Sequence, residues 1–360
     1  RIQGARVSRG GDARPHHAMK PLLLLSTLHR NHAEHSGYQA LAGGLPEARF
    51  LHTIRAEVPG LLPKLGGRIA RRLSFSRWYL GGCAALELMA WRELRQGFSG
   101  IVHSMWADHD LGFLDLLLDK RRHRMVGSFH NCNDTFVHTI RFPGRLRKFD
   151  AIILMSRTQE PFFTKAGVKP ERIHVVPHGV DTAYFQPATS RSDGPFTVLA
   201  AGGYRRNFPL LREVCLRLKD EKDMRVEIIA PAAFREMFDD VPNVRFRSGL
   251  SDAEFLAAYQ GCSCLLQTVE NATANNVILE AMACGQPVVA ERIGGIPEYV
   301  DESCAILTPG GDADALAGAL RELRDSPALR ATLATGALSK AETYDWKHVA
   351  AQMRGIYETL

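Results

Sequence analysis

"TVENATANNVILEAMACGQPVVAERIGGIPEYV", Thr268 to Val300, decides the fold class. From Asn276 to Cys284 the residues Val277, Ile278, Leu279, Ala281, Met282 and Ala283 are apolar nearly all round, the pattern of a buried helix. Gly285 and Pro287 stop that helix, and Pro287–Ala290 reads as a strand. Upstream, Cys262–Gln267 reads as another. Strand, buried helix and strand in close succession form a unit of a parallel sheet. One carboxylate, Glu280, sits inside the helix, where it is costly without partners. It either closes a buried pair or caps a neighbouring loop, or it accepts hydrogen bonds from a ligand's hydroxyls.

The same alternation runs outward in both directions. Strands are expected at Leu22–Ser26, Ile101–Met105, Met125–His130 and Ala151–Met155, then at Phe196–Ala201, Val226–Ala230, Val244–Phe246 and Ala305–Leu307. Helical spacing covers Cys83–Arg95, Asp110–Lys120, Leu210–Lys219, Asp252–Gln260 and Asp312–Asp325. The pattern breaks at "VVPHGVDTAYFQPATSRSDGP", Val175 to Pro195, which places a boundary near residue 180. We expect an α/β protein of two Rossmann-like domains, 19–180 and 181–345, with parallel sheets facing across a cleft. Residues 1–18 are basic and aperiodic and read as a disordered leader. The amphipathic segment 346–360 reads as a last helix packing elsewhere.

With 360 residues, 45% hydrophobic and 23% charged, the chain can bury two sizeable cores. Its formal charge of +6 favours acidic partners such as phosphates or an anionic membrane surface. No groove-reading motif joins the arginines, so nucleic acid is not expected as a partner. No segment reaches the ~18 apolar residues of a membrane span. Seven scattered cysteines read as buried thiols of a reducing, cytoplasmic setting. The stretch 60–82, "GLLPKLGGRIARRLSFSRWYLGG", mixes five cations with apolar and aromatic residues. It suits peripheral contact with an anionic membrane at its inner face, or it is a solvated charged face.

In open α/β sheets ligands sit beyond the C-terminal strand ends, so residues there carry the candidate chemistry. Thr273 or Asn275 reads as an N-cap, and the N–H groups of Asn276, Val277, Ile278 and Leu279 as an anion site backed by the helix dipole. Phosphate at a helix start with hydroxyls one turn further in matches a nucleotide's diphosphate and ribose. "AAGGYRRNFPLL", Ala200 to Leu211, offers Gly203 for close backbone approach and Arg205 and Arg206 as a diphosphate clamp. It is not a full G-x-G-x-x-G. His29, His32 and His35 surround Glu34 before Gly37, at spacings that fit no standard metal site. His130 ends a strand where a cleft residue would stand. Asp108 and Asp110 form a D-x-D triplet, which in some sugar transferases holds a metal. A three-residue match is cheap, and Asp110 reads equally as the N-cap of the helix after it.

"ILEAMACGQPVVAERIGGIPEYV", "RIHVVPHGVDTAYFQP" and the closing "YDWKHVAAQMRGIYETL" resemble the family-4 retaining glycosyltransferases of GT-B fold. "HSGYQAL" and "GSFHNC" extend the resemblance into the first half. The resemblance implies a sugar transferred from a nucleoside-diphosphate sugar to a carbohydrate or lipid-linked acceptor, without cofactor or metal, in glycan or polysaccharide synthesis. It also implies that the last helix crosses back to the first domain. Glu280 then matches the glutamate on the donor ribose, Asn275 to Ile278 the segment under sugar and phosphates, Gly37 the glycine loop near the diphosphate, and His130 a histidine at the donor sugar. The family carries a second glutamate eight positions before Glu280. Here that position is Ala272, with Glu270 the nearest carboxylate. The family's Gly-Arg and nearby Lys clamp is here Gly203, Arg205 and Arg206, with the next lysine at Lys219. Two other readings stay open: a GT-B sugar-nucleotide epimerase, and a non-catalytic nucleotide-sugar-binding scaffold.

Overall fold

Alternate residues of the first strand face opposite ways, and both faces are apolar: Leu22 and Leu24 on one side, Leu23 and Leu25 on the other, all buried. Such a strand must be covered by helices on both sides. That is what the computed structural model contains, described over residues 20–28, 35–54, 64–189 and 194–360, with side chains of 64–68 excepted. Residues 1–18, His29, His32, Glu34 and positions 60–63 of the basic stretch lie outside the described residues.

The first domain runs β1 (Leu22–Leu28), β2 (Arg49–Ile54), α1 (Lys64–Leu73), α2 (Gly81–Arg95), β3 (Gly100–Ser104), α3 (Ala107–Asp110), α4 (Leu114–Leu117), β4 (His123–Phe129), α5 (Asn133–Thr139), β5 (Ala151–Leu154), α6 (Glu160–Lys165) and β6 (Ile173–Val175). Its six parallel strands are ordered β2-β1-β3-β4-β5-β6. The second runs β7 (Phe196–Ala201), α7 (Phe208–Arg217), β8 (Met224–Ile229), β9 (Val244–Arg247), α8 (Asp252–Gly261), β10 (Cys264–Gln267), α9 (Asn276–Ala283), β11 (Val288–Glu291), α10 (Ile296–Tyr299), β12 (Ala305–Thr308), α11 (Ala313–Asp325) and α12 (Pro327–Thr343). Its order is β12-β11-β10-β7-β8-β9, again all parallel. The two Rossmann-like domains expected from the alternation are therefore present.

The last helix, α13 (Trp346–Glu358), packs on the first domain. Trp346, Val349, Met353 and Tyr357 share a core with Leu22, Leu24, Tyr38 and Val126. A buried chain of polar groups pins it: His103 Nδ1 meets Tyr357 Oη at 2.7 Å, and His103 Nε2 meets Ser128 Oγ at 2.8 Å. At the crossover, Val180 and Asp345 form a parallel bridge. A Cβ on Gly179 would come within 2.4 Å of the Trp346 ring, so this crossing requires glycine.

Three local expectations need correction. Asp110–Lys120 is not one helix. It breaks into α3 and α4 around Gly112, whose N–H and carbonyl are taken by Glu87 and Phe75. Nor does Asp110 cap α4. Its carboxylate accepts from Thr27 N at 2.7 Å and Thr27 Oγ1 at 2.6 Å, closing the end of β1. Finally, β2 and β6 are edge strands that the periodicity does not predict. β2 is half-exposed along its length and β6 has three residues. All seven cysteines are free and buried.

Candidate active site

The C-terminal strand ends of the two sheets face each other, and the loops beyond them touch. Thr273 Oγ1 donates to the His130 carbonyl at 2.6 Å, and Tyr204 Oη to Asn131 Oδ1 at 3.2 Å. Glu298, on α10, accepts from Ser156 Oγ at 2.7 Å and Arg157 N at 2.9 Å. The described cleft is closed around Glu280, His130 and Arg206.

Glu280 lies one turn into α9 and is 7% exposed. Its Oε1 accepts from Ser36 Oγ of the first domain, and its Oε2 from Tyr259 Oη at 2.7 Å. Burial pushes its carboxyl up to about 7, against the two hydrogen bonds, which favour the charged form. It is thus neither a buried ion pair nor an isolated charge. It is a hydroxyl acceptor, already engaged by two hydroxyls.

The start of α9 differs from expectation in detail. Neither candidate cap caps it: Asn275 stands at the N-cap position but its side chain takes no N–H of the helix, and Thr273 reaches to His130. The N–H groups of Ile278 and Leu279 are used by the Asn275 carbonyl. The anion site therefore narrows to the first-turn amides, Asn276 and Val277, ahead of them.

The two arginines diverge. Arg205, the one non-glycine residue with positive φ (53°) among the described residues, turns away to the first domain. Its guanidinium binds the Asp134 carboxylate at 2.6 and 3.0 Å and Thr135 Oγ1 at 3.0 Å. Arg206 folds back under the strand ends. Its Nε donates to the Ala201 carbonyl at 2.8 Å, and Nη2 meets Asn275 Oδ1 at 3.4 Å. With the Gln267 amide turned to accept, that oxygen lies 2.6 Å from Arg206 Nε. Burial lowers this guanidinium to about 10, opposed by Tyr259 and Glu280, so it stays charged at neutral pH. The expected shared clamp thus becomes an interdomain clasp, Arg205, and a cation beside α9, Arg206. Gly202, at φ 101°, lets Arg206 fold back against it, because a Cβ there would strike the Arg206 guanidinium at 2.5 Å. Gly203 instead packs against Pro231.

His130 stacks on Trp106 with ring centroids 3.8 Å apart and meets Tyr38 edge-on. Its Nε2 lies 2.8 Å from the Met105 carbonyl, which can only accept, so Nε2 carries the proton. Burial lowers the imidazole to about 3, keeping it neutral with Nδ1 as an acceptor. That state suits a hydrogen bond from a sugar hydroxyl.

Gly37, at φ 108°, turns the chain between Ser36, which reaches Glu280, and the buried Tyr38. Beside it His35 Nδ1 meets Asp181 Oδ2 at 2.9 Å and its ring stacks on Tyr184. Glu270 is exposed. Its amide, not its carboxylate, ties it to the site, bonding the Arg205 carbonyl at 3.0 Å. Ala272 is buried, with its carbonyl on the Gly295 N–H. The structure therefore brings Glu280, Asn275–Val277, Arg206, Thr273 and His130 together, with Glu270 exposed beside Arg205. Asp108 and Asp110 do not converge. Asp108 Oδ2 accepts from the N–H groups of His130 and Asn131 and from Asn131 Nδ2. Sequence reading missed Ser36, Tyr259 and Asp134, since a serine, an apolar-helix tyrosine and an aspartate in a helix's first turn carry no motif.

Two packed Rossmann-like domains with a last helix returning to the first define the GT-B class of protein. The family profile described as "Glycosyltransferase Family 4" matches residues 32–184, and that described as "Glycosyl transferases group 1" matches 195–326. The chain belongs to the family-4 glycosyltransferases of GT-B fold. It is 33% identical over 224 residues to an MMP alpha-(1->4)-mannosyltransferase of Mycolicibacterium hassiacum, covering 58% of this chain and 54% of that protein. It is 27% identical over 314 residues to a D-inositol 3-phosphate glycosyltransferase of Streptomyces bingchenggensis, covering 74% and 68%. The chain thus spans about half the length of the first of these relatives. Among solved structures, Anabaena HepE in complex with UDP and glucose superposes with a TM-score of 0.69 at 17% identity, covering 95% of this chain and all of that one. Sucrose-phosphate synthase of Thermosynechococcus elongatus superposes with 0.69 at 15%, covering 94% and 98%. These likenesses carry the fold.

Proposed function

We propose that the protein transfers a hexosyl group from a nucleoside-diphosphate sugar to a hydroxyl of a carbohydrate or lipid-linked acceptor, with retention of configuration and without a metal. The observation that carries this is the placement of the buried Glu280 one turn inside α9, with Arg206 and the first-turn amides beside it. A carboxylate accepts the ribose hydroxyl, and the helix start and Arg206 face the diphosphate. Relatives named for mannosyl transfer and for inositol 3-phosphate, and a structural neighbour solved with UDP, support the same donor class.

In this reading the bond between the anomeric carbon and the diphosphate oxygen breaks, and its electron pair goes to the diphosphate. The acceptor oxygen forms the new bond on the same face, and its proton passes to the departing phosphate oxygen. Arg206 and the α9 amides stabilise the charge that develops there. Neutral His130 accepts a hydroxyl of the transferred sugar through Nδ1. Interdomain closure through Arg205–Asp134 and Thr273–His130 keeps water from the reacting carbon.

UDP, GDP and ADP, tested singly by thermal shift, give one expected stabiliser, with an unchanged shift in EDTA. No shift with any of the three overturns the donor class, and a shift abolished by EDTA overturns the metal-free reading.

We propose in addition that the protein contacts an anionic membrane surface. Among the described residues no helix is long and apolar enough to cross a membrane. Yet Ile69 and Leu73 on α1 are more than half exposed, as is Val137 nearby, with Arg71 and Arg72 between them. Arg141 bonds the Arg71 carbonyl and joins the two patches. Apolar side chains ringed by arginine fit an anionic lipid interface. Flotation with phosphatidylglycerol vesicles is expected, lost in Ile69→Asp/Leu73→Asp; equal flotation of both proteins contradicts this surface.

A further inference from the structure

The two oxygens of Glu280 have different owners. Oε2 is held by Tyr259, on α8 of the same domain, which is fully buried and packed edge-on against Phe185. Oε1 is met by Ser36, which arrives from the opposite domain on the turn that His35 anchors to Asp181 and Tyr184. A bond inside one rigid domain persists whenever that domain is folded. A bond across a cleft is broken when the cleft opens.

We propose that Tyr259 is a positioning residue: its hydroxyl fixes the Glu280 carboxylate so that Oε1 alone is presented to a donor hydroxyl, at the place where Ser36 reaches it. This rests on the reading that Glu280 binds the nucleotide of the donor. Tyr259 stays a phenol, because burial holds its ionisation well above the ordinary range, so it can only donate to an ionised Glu280. It thereby favours the charged carboxylate that a ribose hydroxyl bonds most strongly. The other charged or titratable groups acting on Glu280 are Arg206, which also favours the charged form, and Asp252, which opposes it. The Cys284 thiol, itself pushed up by burial and by Glu280, is a further neighbour among the described residues.

Tyr259→Phe keeps the ring and removes the hydroxyl. Titration of UDP, or of GDP where UDP does not bind, is expected to show about three- to tenfold weaker binding at pH 8, the size of one lost hydrogen bond. Without the phenol the charged carboxylate is less favoured, so affinity falls away on acidification at a higher pH than in wild type, by about one unit. A purely structural tyrosine would lower the melting temperature and leave that midpoint in place. Unchanged affinity and midpoint in Tyr259→Phe overturn the proposal. Failure of wild type to bind either nucleotide overturns the donor reading itself, which separates the two.

Discussion

Glu280→Gln is expected to bind nucleoside diphosphate about ten- to a hundredfold more weakly than wild type at pH 8, yet to melt no lower. The two effects come from the same carboxylate. Bound ligand loses a charge-assisted hydrogen bond, worth about 1.5–3 kcal/mol. The empty protein loses a buried charge. Burial raises the folded-state value to about 7, above the ordinary 4.5. A carboxyl raised in this way favours folding fully when protonated, below the unfolded value. That contribution is lost as pH rises through about 4.5 to 7, and above 7 wild type bears the full cost of the charge, at most about 3 kcal/mol. Glutamine removes the cost and still offers an oxygen to Tyr259 or Ser36. Stability of the variant should therefore exceed that of wild type at pH 8 and match it near pH 4.5. A variant that binds as tightly as wild type would remove Glu280 from the donor site. One that unfolds at pH 8 would make it a structural acceptor.

Arg206→Ala is expected to lower kcat/KM by about a hundred- to a thousandfold, the usual cost of removing a positioned charge at the leaving group. The guanidinium lies between the Ala201 carbonyl, Asn275 and Gln267, and a lysine ammonium cannot span those three positions, so Arg206→Lys should recover little. Arg205→Ala should cost less than tenfold, because Arg205 spends its donors on Asp134 and Thr135 and acts through closure. Steady-state kinetics on the three variants separate the roles. A larger loss at Arg205 than at Arg206 would exchange them.

The contrast between these arginines shows what the chain's pattern discloses and what it conceals. Period and punctuation suffice for elements with both faces buried: β7 falls at Phe196–Ala201, and α9 begins at Asn276. They fail where exposure is mixed, as in β2, or where a side chain from afar claims a turn, as Glu87 does at Gly112. Glu280 stood out because a charge in an apolar helix demands partners. Those partners, Ser36 and Tyr259, are 244 and 21 positions away and look ordinary in sequence. Adjacent arginines look alike in one dimension. The positive φ of Arg205 sends them to different domains, and no residue type announces that turn.

The central claim is that the start of α9 and Glu280 receive the nucleotide of the donor. Hydrogen exchange of the wild-type protein, with and without saturating UDP or GDP, tests it most directly. The account predicts that the slowed amides fall in peptides spanning 268–285, led by Asn276 and Val277, and around Gly202–Arg206. Nucleotide binding with no protection in 268–285 would contradict it.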